Sequence, residues 1–230
     1  MKRSKKYKNT LKLYDKTKQY SLDESLDILP KLNTTKFDSS VEIHINLQLT
    51  EKQKKSSIKG SCVLPHQIGK SIKIAVITTP QHEAEAKSAD ISGSEDLIKK
   101  IEKGWSDFDV LIATPEIMPK VAILGKTLGP KGKMPNPKNG TVTTNLKETI
   151  NNYKKGKTDF KADKQGGIHM KIGKISMKKD ELKENLQTFL KSLYSETRTI
   201  QVIPFKSITL TPTMGPGIKL NINEILKELT

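Results

Sequence analysis

The chain has 230 residues, of which 34% are hydrophobic, and a formal net charge of +16. The length allows one large domain or two small ones, and the positive charge favours nucleic acid as a partner ahead of acidic membranes. The single cysteine, Cys62, excludes an intramolecular disulfide and a zinc site made of several cysteines. No apolar run approaches the roughly 18 residues of a membrane helix, and no secretory signal is visible, so we expect a soluble protein without membrane contact.

The N-terminal part predicts a basic arm, a helix and a strand. The first eighteen residues carry eight basic groups and one acid, which is typical of a partly disordered or weakly helical arm. A capping-box pattern at Ser21 and Glu24 then starts a helix whose apolar face reaches Leu32. Residues Val41–Leu49 alternate between apolar and polar, which predicts a strand with one buried face.

The central part predicts strands that alternate with helices. Ile72–Ile77 and Phe108–Ala113 are short apolar runs, as in strands buried on both faces. Predicted helices cover Glu83–Ala89, the segment from Ser94 to Gly104, the segment after Thr114 and Pro115, and Asn145–Lys155. This alternation favours a small parallel α/β domain.

The C-terminal part returns to alternating strands. The predicted elements are a strand over Ile168–Ile172, a helix carrying Leu182 to Leu193, strands over Ile200–Ile203 and Lys206–Thr211, and a turn at Thr213–Pro216. We therefore predict an α/β and α+β chain of two domains, with 1–67 and 157–230 forming one and 68–156 inserted as the other. The inserted segment has 14 lysines and 10 acids, a net charge of +4, which leaves +12 on the terminal parts. We therefore expect the main nucleic-acid-binding surface on the terminal parts.

The segment from Leu124 to Thr143 is rich in glycine, proline and lysine and has no acid. It predicts an ordered loop that is neither helix nor strand. Its Gly125-Lys126-Thr127 mimics the end of a phosphate-binding P-loop, but that motif needs a glycine where Lys120 stands. Without a carboxylate pair, triad or metal cluster elsewhere, the sequence disfavours an enzyme.

Three features of the terminal parts are consistent with RNA binding, but each also has an ordinary structural explanation. Glu42 and His44 lie on the polar side of the first strand, where solvated side chains are normal, yet a carboxylate there suits ribose 2′-OH groups. Phe37 fits a core position or a stacking contact equally well. Met214 beside Gly215 fits a small packing contact or a contact with a sugar or base.

Six collinear segments together resemble the ribosomal protein L-one family of the large subunit. They are Phe37–His44, Leu64–Lys70, Asp107–Glu116, Leu128–Val142, Asp163–His169 and Thr213–Pro216. The resemblance implies a discontinuous α+β two-layer sandwich from both chain ends and an inserted Rossmann-like α/β domain. It also implies binding to the mobile stalk of large-subunit rRNA, help in moving deacylated tRNA out of the exit site, and repression of the protein's own operon mRNA.

Carried over by position, the family's RNA-binding residues share one domain, the terminal one. They are Lys36, Phe37, Ser40, Glu42, Asp163, Lys164, Gly167, His169, Thr213, Met214 and Gly215. Ser40 and Gln165 stand where threonine is usual, and Lys133 replaces an apolar residue.

The resemblance further implies a protein with no cofactor, no metal and no catalytic residue, which is a monomer when free and contacts other ribosomal components. The absence of a clear transit peptide favours a bacterial cytoplasm over an organelle. Two alternatives stay open from the sequence: an RNA-binding protein of ribosome assembly, and a nucleotide-dependent enzyme built on the inserted domain.

Overall fold

The computed structural model describes residues 5–48, 58–69, 72–79, 82–86, 88–199 and 205–229. The chain divides into two compact units. Residues 1–69 and 159–230 make the terminal unit, and residues 70–158 make the inserted unit. The predicted domain boundaries, 67/68 and 156/157, each lie two residues before the observed ones, 69/70 and 158/159.

Strands and helices are numbered in chain order. The strands are β1 (Ser40–Leu47), β2 (Lys59–Val63), β3 (Ile74–Ile77), β4 (Ile91–Gly93), β5 (Val110–Ala113), β6 (Lys157–Lys161), β7 (Gly167–Lys174), β8 (Phe205–Pro212) and β9 (Ile218–Lys219). The α-helices are α1 (Lys5–Thr10), α2 (Leu22–Ile28), α3 (Glu83–Ala86), α4 (Glu95–Glu102), α5 (Met118–Val121), α6 (Gly125–Leu128), α7 (Leu146–Lys154), α8 (Lys179–Thr199) and α9 (Ile222–Leu229).

The terminal unit has a four-stranded antiparallel sheet in the order β7-β1-β8-β9. Helices α2, α8 and α9 contribute side chains to one core with the buried face of this sheet. Strands β2 and β6 form a separate two-stranded sheet whose Cys62 and Phe160 join the same core. This mixed arrangement agrees with the predicted fold class.

The alternation in β1 produces the two faces that the sequence predicts. Val41, Ile43 and Ile45 are fully buried, while the residues between them are at least partly exposed. The strand ends at Leu47, and the predicted end at Leu49 lies outside the described residues, as does the predicted strand at Ile200–Ile203.

Helix α2 begins as predicted and ends earlier. The Ser21 side chain accepts a hydrogen bond from the Glu24 amide, and the Glu24 carboxylate accepts one from the Ser21 amide. The chain then continues as a 3-10 turn over Leu29–Leu32, with Pro30 in its first turn. Because Pro30 has no N–H to donate, the α-helical hydrogen-bond series stops there.

The inserted unit has a three-stranded parallel sheet in the order β4-β3-β5. All four residues of β3 are buried, and separate hydrophobic clusters lie on its two faces, as expected for a parallel sheet covered by helices. Strand β4 is not among the predicted elements because its three residues give too short a pattern. None of the helices in the described ranges combines the length and hydrophobicity needed to cross a bilayer.

The run from Leu124 to Thr143 is not purely a loop, so that prediction is wrong in part. It begins with α6, contains a 3-10 turn at Pro137–Asn139, and forms a parallel bridge between Val142 and Ala113. Leu124 and Leu128 are both buried, and their four-residue spacing explains the helical turn.

Several lysines near this run are bonded within the inserted unit. The Lys133 ammonium donates to the carbonyl oxygens of Ser106 (3.1 Å) and Phe108 and lies 5.3 Å from the Phe108 ring centroid. Lys131 donates to the Ser106 hydroxyl at 2.8 Å. Lys120 forms an ion pair with Glu95. These cations therefore help to fix the shape of the run.

Replacing Lys133 with methionine tests this role. Lys133→Met keeps most of the side-chain volume but leaves two carbonyls without their charged donor, so we expect the free energy of unfolding to fall by about 1–2 kcal/mol. Urea unfolding followed by fluorescence of Trp105, the single tryptophan, reports on this unit because Trp105 packs 5.5 Å from Phe108. Lys126→Met is the matched control, since Lys126 has no side-chain hydrogen bond or ion pair to any described residue. Equal stability of the two variants would contradict the assigned role.

Candidate nucleic-acid interface

One face of the terminal sheet, opposite the helices, carries a strip of polar side chains that we call the polar sheet face. Its members come from three neighbouring strands: Glu42, His44 and Asn46 on β1, His169 and Lys171 on β7, and Ser207, Thr209 and Thr211 on β8. The register places one residue of β7 and one of β8 beside each polar residue of β1, and the β7 residue beside Asn46 is Gly167. The strip therefore forms three rows of side chains across the sheet.

The turn after β8 closes one end of the polar sheet face. The Thr213 amide donates to the Ser40 carbonyl at 2.8 Å, and the Thr213 hydroxyl donates to Glu42 Oε1 at 2.6 Å. Met214 follows with 78% of its surface exposed and a left-handed φ of 67°. A Cβ on Gly215 would lie 2.5 Å from Pro212 Cγ, so this turn has no room for a side chain there. Ser40, Glu42 and Thr213 are thus held together.

Two histidines meet in the middle row. His44 Nδ1 lies 2.8 Å from His169 Nδ1, and the rings are edge-on with centroids 5.0 Å apart. The Glu42 carboxylate lies 3.8 Å from His44 Nε2. Burial, followed by the neighbouring His169, lowers the pKa of His44 below its usual value, and Glu42 opposes this shift.

The loop before β7 closes the other end. Asp163 Oδ1 accepts hydrogen bonds from the amides of Gly167 (2.6 Å) and Gln165 (2.8 Å). The Gly167 hydrogen bond is the main reason why the pKa of Asp163 is lowered. A Cβ on Gly167 would lie 2.8 Å from Asp163 Oδ2, so glycine is needed for this approach. Asp163 therefore shapes the loop, and Lys164 is exposed beside it.

The predicted site residues form a strip and not a single cluster. Gly167 pairs with Asn46, four residues along β1 from Glu42, which corresponds to about 13 Å. Lys36 and Phe37 precede β1 and are exposed. Because 58% of the Phe37 surface is exposed, the core position that the sequence left open is excluded.

The predicted set misses the polar residues of β8, His44 and Asn46 on β1, and Lys171 on β7. Asn46 donates to the Ser207 hydroxyl at 3.1 Å, and Thr209 lies directly opposite His44. The alternation within Lys206–Thr211 could have shown which β8 residues face away from the core. Their position beside β1 could not be read in that way, because it depends on strand pairing.

Metal ligands and a phosphate-binding loop find no support in the described part of the chain. No three His, Cys, Asp or Glu side chains are grouped there as a metal site would require. Gly125-Lys126-Thr127 belongs to α6 and follows a 3-10 turn, whereas a P-loop follows a strand.

Comparison with known protein families identifies the family to which this chain belongs. Residues 29–216 match the Ribosomal protein L1p/L10e family. The chain belongs to this family. The match covers β1, β7, β8 and the Thr213–Gly215 turn, so it includes the whole polar sheet face.

Bacterial relatives named "Large ribosomal subunit protein uL1" match nearly the whole chain. The protein of Mesoplasma florum is 46% identical over 223 residues, which cover 96% of this chain and 98% of the relative. The Phytoplasma australiense protein is 45% identical, with 96% and 98% covered. The Kosmotoga olearia protein is 42% identical, with 98% and 99% covered. The predicted resemblance to the L1 family is confirmed.

Asp163→Asn tests the order of the loop before β7 in this family member. Removing the charge weakens the hydrogen bonds from Gly167 and Gln165, so we expect faster hydrogen exchange at both amides with an unchanged circular dichroism spectrum. The hydrogen bond from Gly167 lowers the folded-state pKa of Asp163 below its usual value, so in the wild type this stabilisation is full above the unfolded-state pKa of about 3.9. It is lost as the pH falls through the lowered value. Amide exchange measured by NMR checks both effects.

The neighbouring variant Lys164→Gln is the control for this experiment. Lys164 is exposed in the same loop, and no described residue bonds its side chain. Unchanged exchange at Gly167 in Asp163→Asn would show that the carboxylate does not order the loop.

Proposed function

We propose that the polar sheet face and its two flanking loops bind the mobile stalk of large-subunit rRNA. Membership of the family makes the protein a structural component of the large ribosomal subunit and not an enzyme. Its bacterial-type relatives make it a protein of the cytoplasmic ribosome. The proposal concerns which surface holds the rRNA and how it does so.

The hydrogen bond between Thr213 and Glu42 is the observation that carries the proposal. It joins residues 171 positions apart and fixes Glu42 Oε1, which leaves Oε2 as an acceptor on a partly exposed carboxylate. Such an acceptor suits a ribose 2′-OH donor, which DNA lacks. A carboxylate that served only to keep the sheet soluble would not need a positioned partner.

Affinity would come from lysine contacts with phosphates around this acceptor. Lys36 and Lys164 are exposed at opposite ends of β1, and Lys171 lies opposite Glu42. Lysine contacts phosphate as a point charge, so binding of this kind weakens as the salt concentration rises. Specificity would depend on RNA shape, on Glu42 and on the turn at Thr213.

The resemblance to the family also supports three further proposals about partners. We propose that the protein helps to move deacylated tRNA out of the exit site, where a crosslink between protein and tRNA in ribosomes with a filled exit site tests the contact. We propose that its own operon mRNA binds the polar sheet face in competition with rRNA. We also propose that the free protein is a monomer, which sedimentation of the free protein tests. Once assembled into the ribosome, it contacts other ribosomal components.

Substitution of Met214 tests the proposed rRNA surface. Met214→Ala removes an exposed apolar side chain, so we expect RNA binding to weaken by about 1–3 kcal/mol while the free energy of unfolding changes by no more than about 0.5 kcal/mol. Met214→Gly should lose the same affinity without loss of stability, since glycine tolerates the left-handed φ. Filter-binding titration with an rRNA stalk fragment measures the affinity, and urea unfolding measures the stability.

Val63→Ala is the matched control for Met214. Val63 is another exposed apolar residue of the terminal unit, on β2 and outside the four-stranded sheet. Wild-type affinity in both Met214 variants would remove the turn from the interface.

Competition between RNAs tests the proposal that one face serves both. A fragment of the operon mRNA leader should displace a labelled rRNA stalk fragment completely, because both need Glu42 and Thr213. Thr213→Val removes the hydroxyl that holds Glu42 and should weaken both RNAs by a similar factor, whereas Thr213→Ser should restore both. Simultaneous binding of the two RNAs, or loss of only one of them in Thr213→Val, would show separate sites.

A further inference from the structure

A pair of hydrogen-bonded histidines lies at the centre of the polar sheet face. His44 and His169 lie on adjacent strands, 125 residues apart in sequence, with their Nδ1 atoms at 2.8 Å. Two imidazole nitrogens form a hydrogen bond at this distance only if one carries a proton and the other does not. The geometry therefore fixes one proton between the rings.

Counting protons shows which charge states keep this hydrogen bond. A neutral pair keeps it, since one ring donates through Nδ1–H and the other accepts. A pair with one added proton also keeps it, because an imidazolium can donate to a neutral ring. A second added proton puts N–H groups on both sides and breaks the bond. The pair can thus gain one positive charge without rearrangement.

The surroundings of the pair contain few charges in the free protein. On β1 the nearest is Glu42, whose carboxylate also accepts the Thr213 hydroxyl. On β7 the charged neighbour on this face is Lys171, and Asp163 in the preceding loop interacts with His169. On β8 the facing residues are Ser207, Thr209 and Thr211, none of which is charged. Beyond β8, Lys219 lies opposite Thr209.

The balance of these groups favours the neutral form of His44, which is half-buried. Burial and the neighbouring ring lower the pKa of His44 more than Glu42 raises it, which favours the uncharged form of the ring in the free protein. An anion placed against the pair would favour the charged form. RNA brings such anions, and the central row of the face lies between the two ends where we propose that it is held.

We propose that the His44–His169 pair takes up one proton when RNA binds and contacts an RNA phosphate as an imidazolium. This inference rests on the proposed function and gives the histidine pair of the polar sheet face a specific role in it. The added proton stays within the hydrogen-bonded pair, and the phosphate balances its charge. Since the bound state holds the proton more tightly than the free state, RNA affinity increases as the pH falls, by at most tenfold per pH unit.

Proton uptake can be measured directly by isothermal titration calorimetry. The protein is titrated with an rRNA stalk fragment at pH 6.5 in two buffers of different ionisation enthalpy, and the difference in heat gives the number of protons bound. We expect clear uptake of up to about one proton by the wild type. His44→Gln and His169→Gln should each reduce the uptake and flatten the rise in affinity between pH 8 and pH 6.

His66→Gln is the matched control. His66 bonds Glu184 on α8 at 2.7 Å, on the helical side of the unit, so its removal should leave both the uptake and the pH dependence as in the wild type. A measurement on the wild type needs no variant at all. The ¹⁵N shifts of the His44 and His169 rings should move toward imidazolium values when RNA is added at pH 7.

The outcomes separate this inference from the proposed function. Tight RNA binding with no proton uptake, or with uptake unchanged in both glutamine variants, overturns the inference and leaves the rRNA surface in place. Absence of RNA binding at every pH overturns the proposed function and the inference with it. Uptake that disappears only in the variants at 44 and 169 establishes the pair as the group that takes up the proton.

Discussion

The register of β1 is the constraint on which the rest of the terminal unit depends. Because side chains alternate along a strand, burying Val41, Ile43, Ile45 and Leu47 fixes every residue between them on the polar sheet face. Each buried aliphatic side chain contributes about 1.5–3 kcal/mol, and a slip by one residue would expose all four. The same slip would bury Glu42, at a cost of several kcal/mol for an unpaired carboxylate. The position of the proposed RNA acceptor is therefore set by the core beneath it.

The strands that pair with β1, namely β7 and β8, follow the inserted unit in the sequence. His169 and Thr213 lie 125 and 171 residues away from the β1 groups that they bond. Loop-closure entropy grows only slowly with length, so an insertion between β1 and β7 costs the terminal unit little. The consequence is that no part of the polar sheet face is complete until β7 and β8 pair with β1. Folding of the terminal unit and formation of the polar sheet face therefore occur together in this chain.

This dependence explains which features the sequence could predict. Period-two patterns identify β1, β7 and β8, and the capping box at Ser21 identifies the start of α2, because each signal is local. The pairing of His44 with His169 has no local signal, since alternation shows which face a residue takes and not which residue lies beside it. Short elements such as β4 and β9 are too brief for a pattern to stand out. The family resemblance supplied the Asp163 loop, but only the structure shows that this carboxylate is used to shape it.

The distribution of ion pairs then determines where positive charge remains available. On the helical side, Lys183 bonds Asp23 at 2.7 Å and Lys179 bonds Asp27 at 2.6 Å, so acids of α2 balance lysines of α8. In the inserted unit Lys120 is balanced by Glu95, and Lys133, though unbalanced, is held by carbonyls. Net charge alone overlooks this difference, because a paired lysine adds to the count but little to the field at a distance. The polar sheet face carries one acid, Glu42, and one lysine, Lys171, so on the side where we place the RNA the further cations are the exposed Lys36 and Lys164 that flank it.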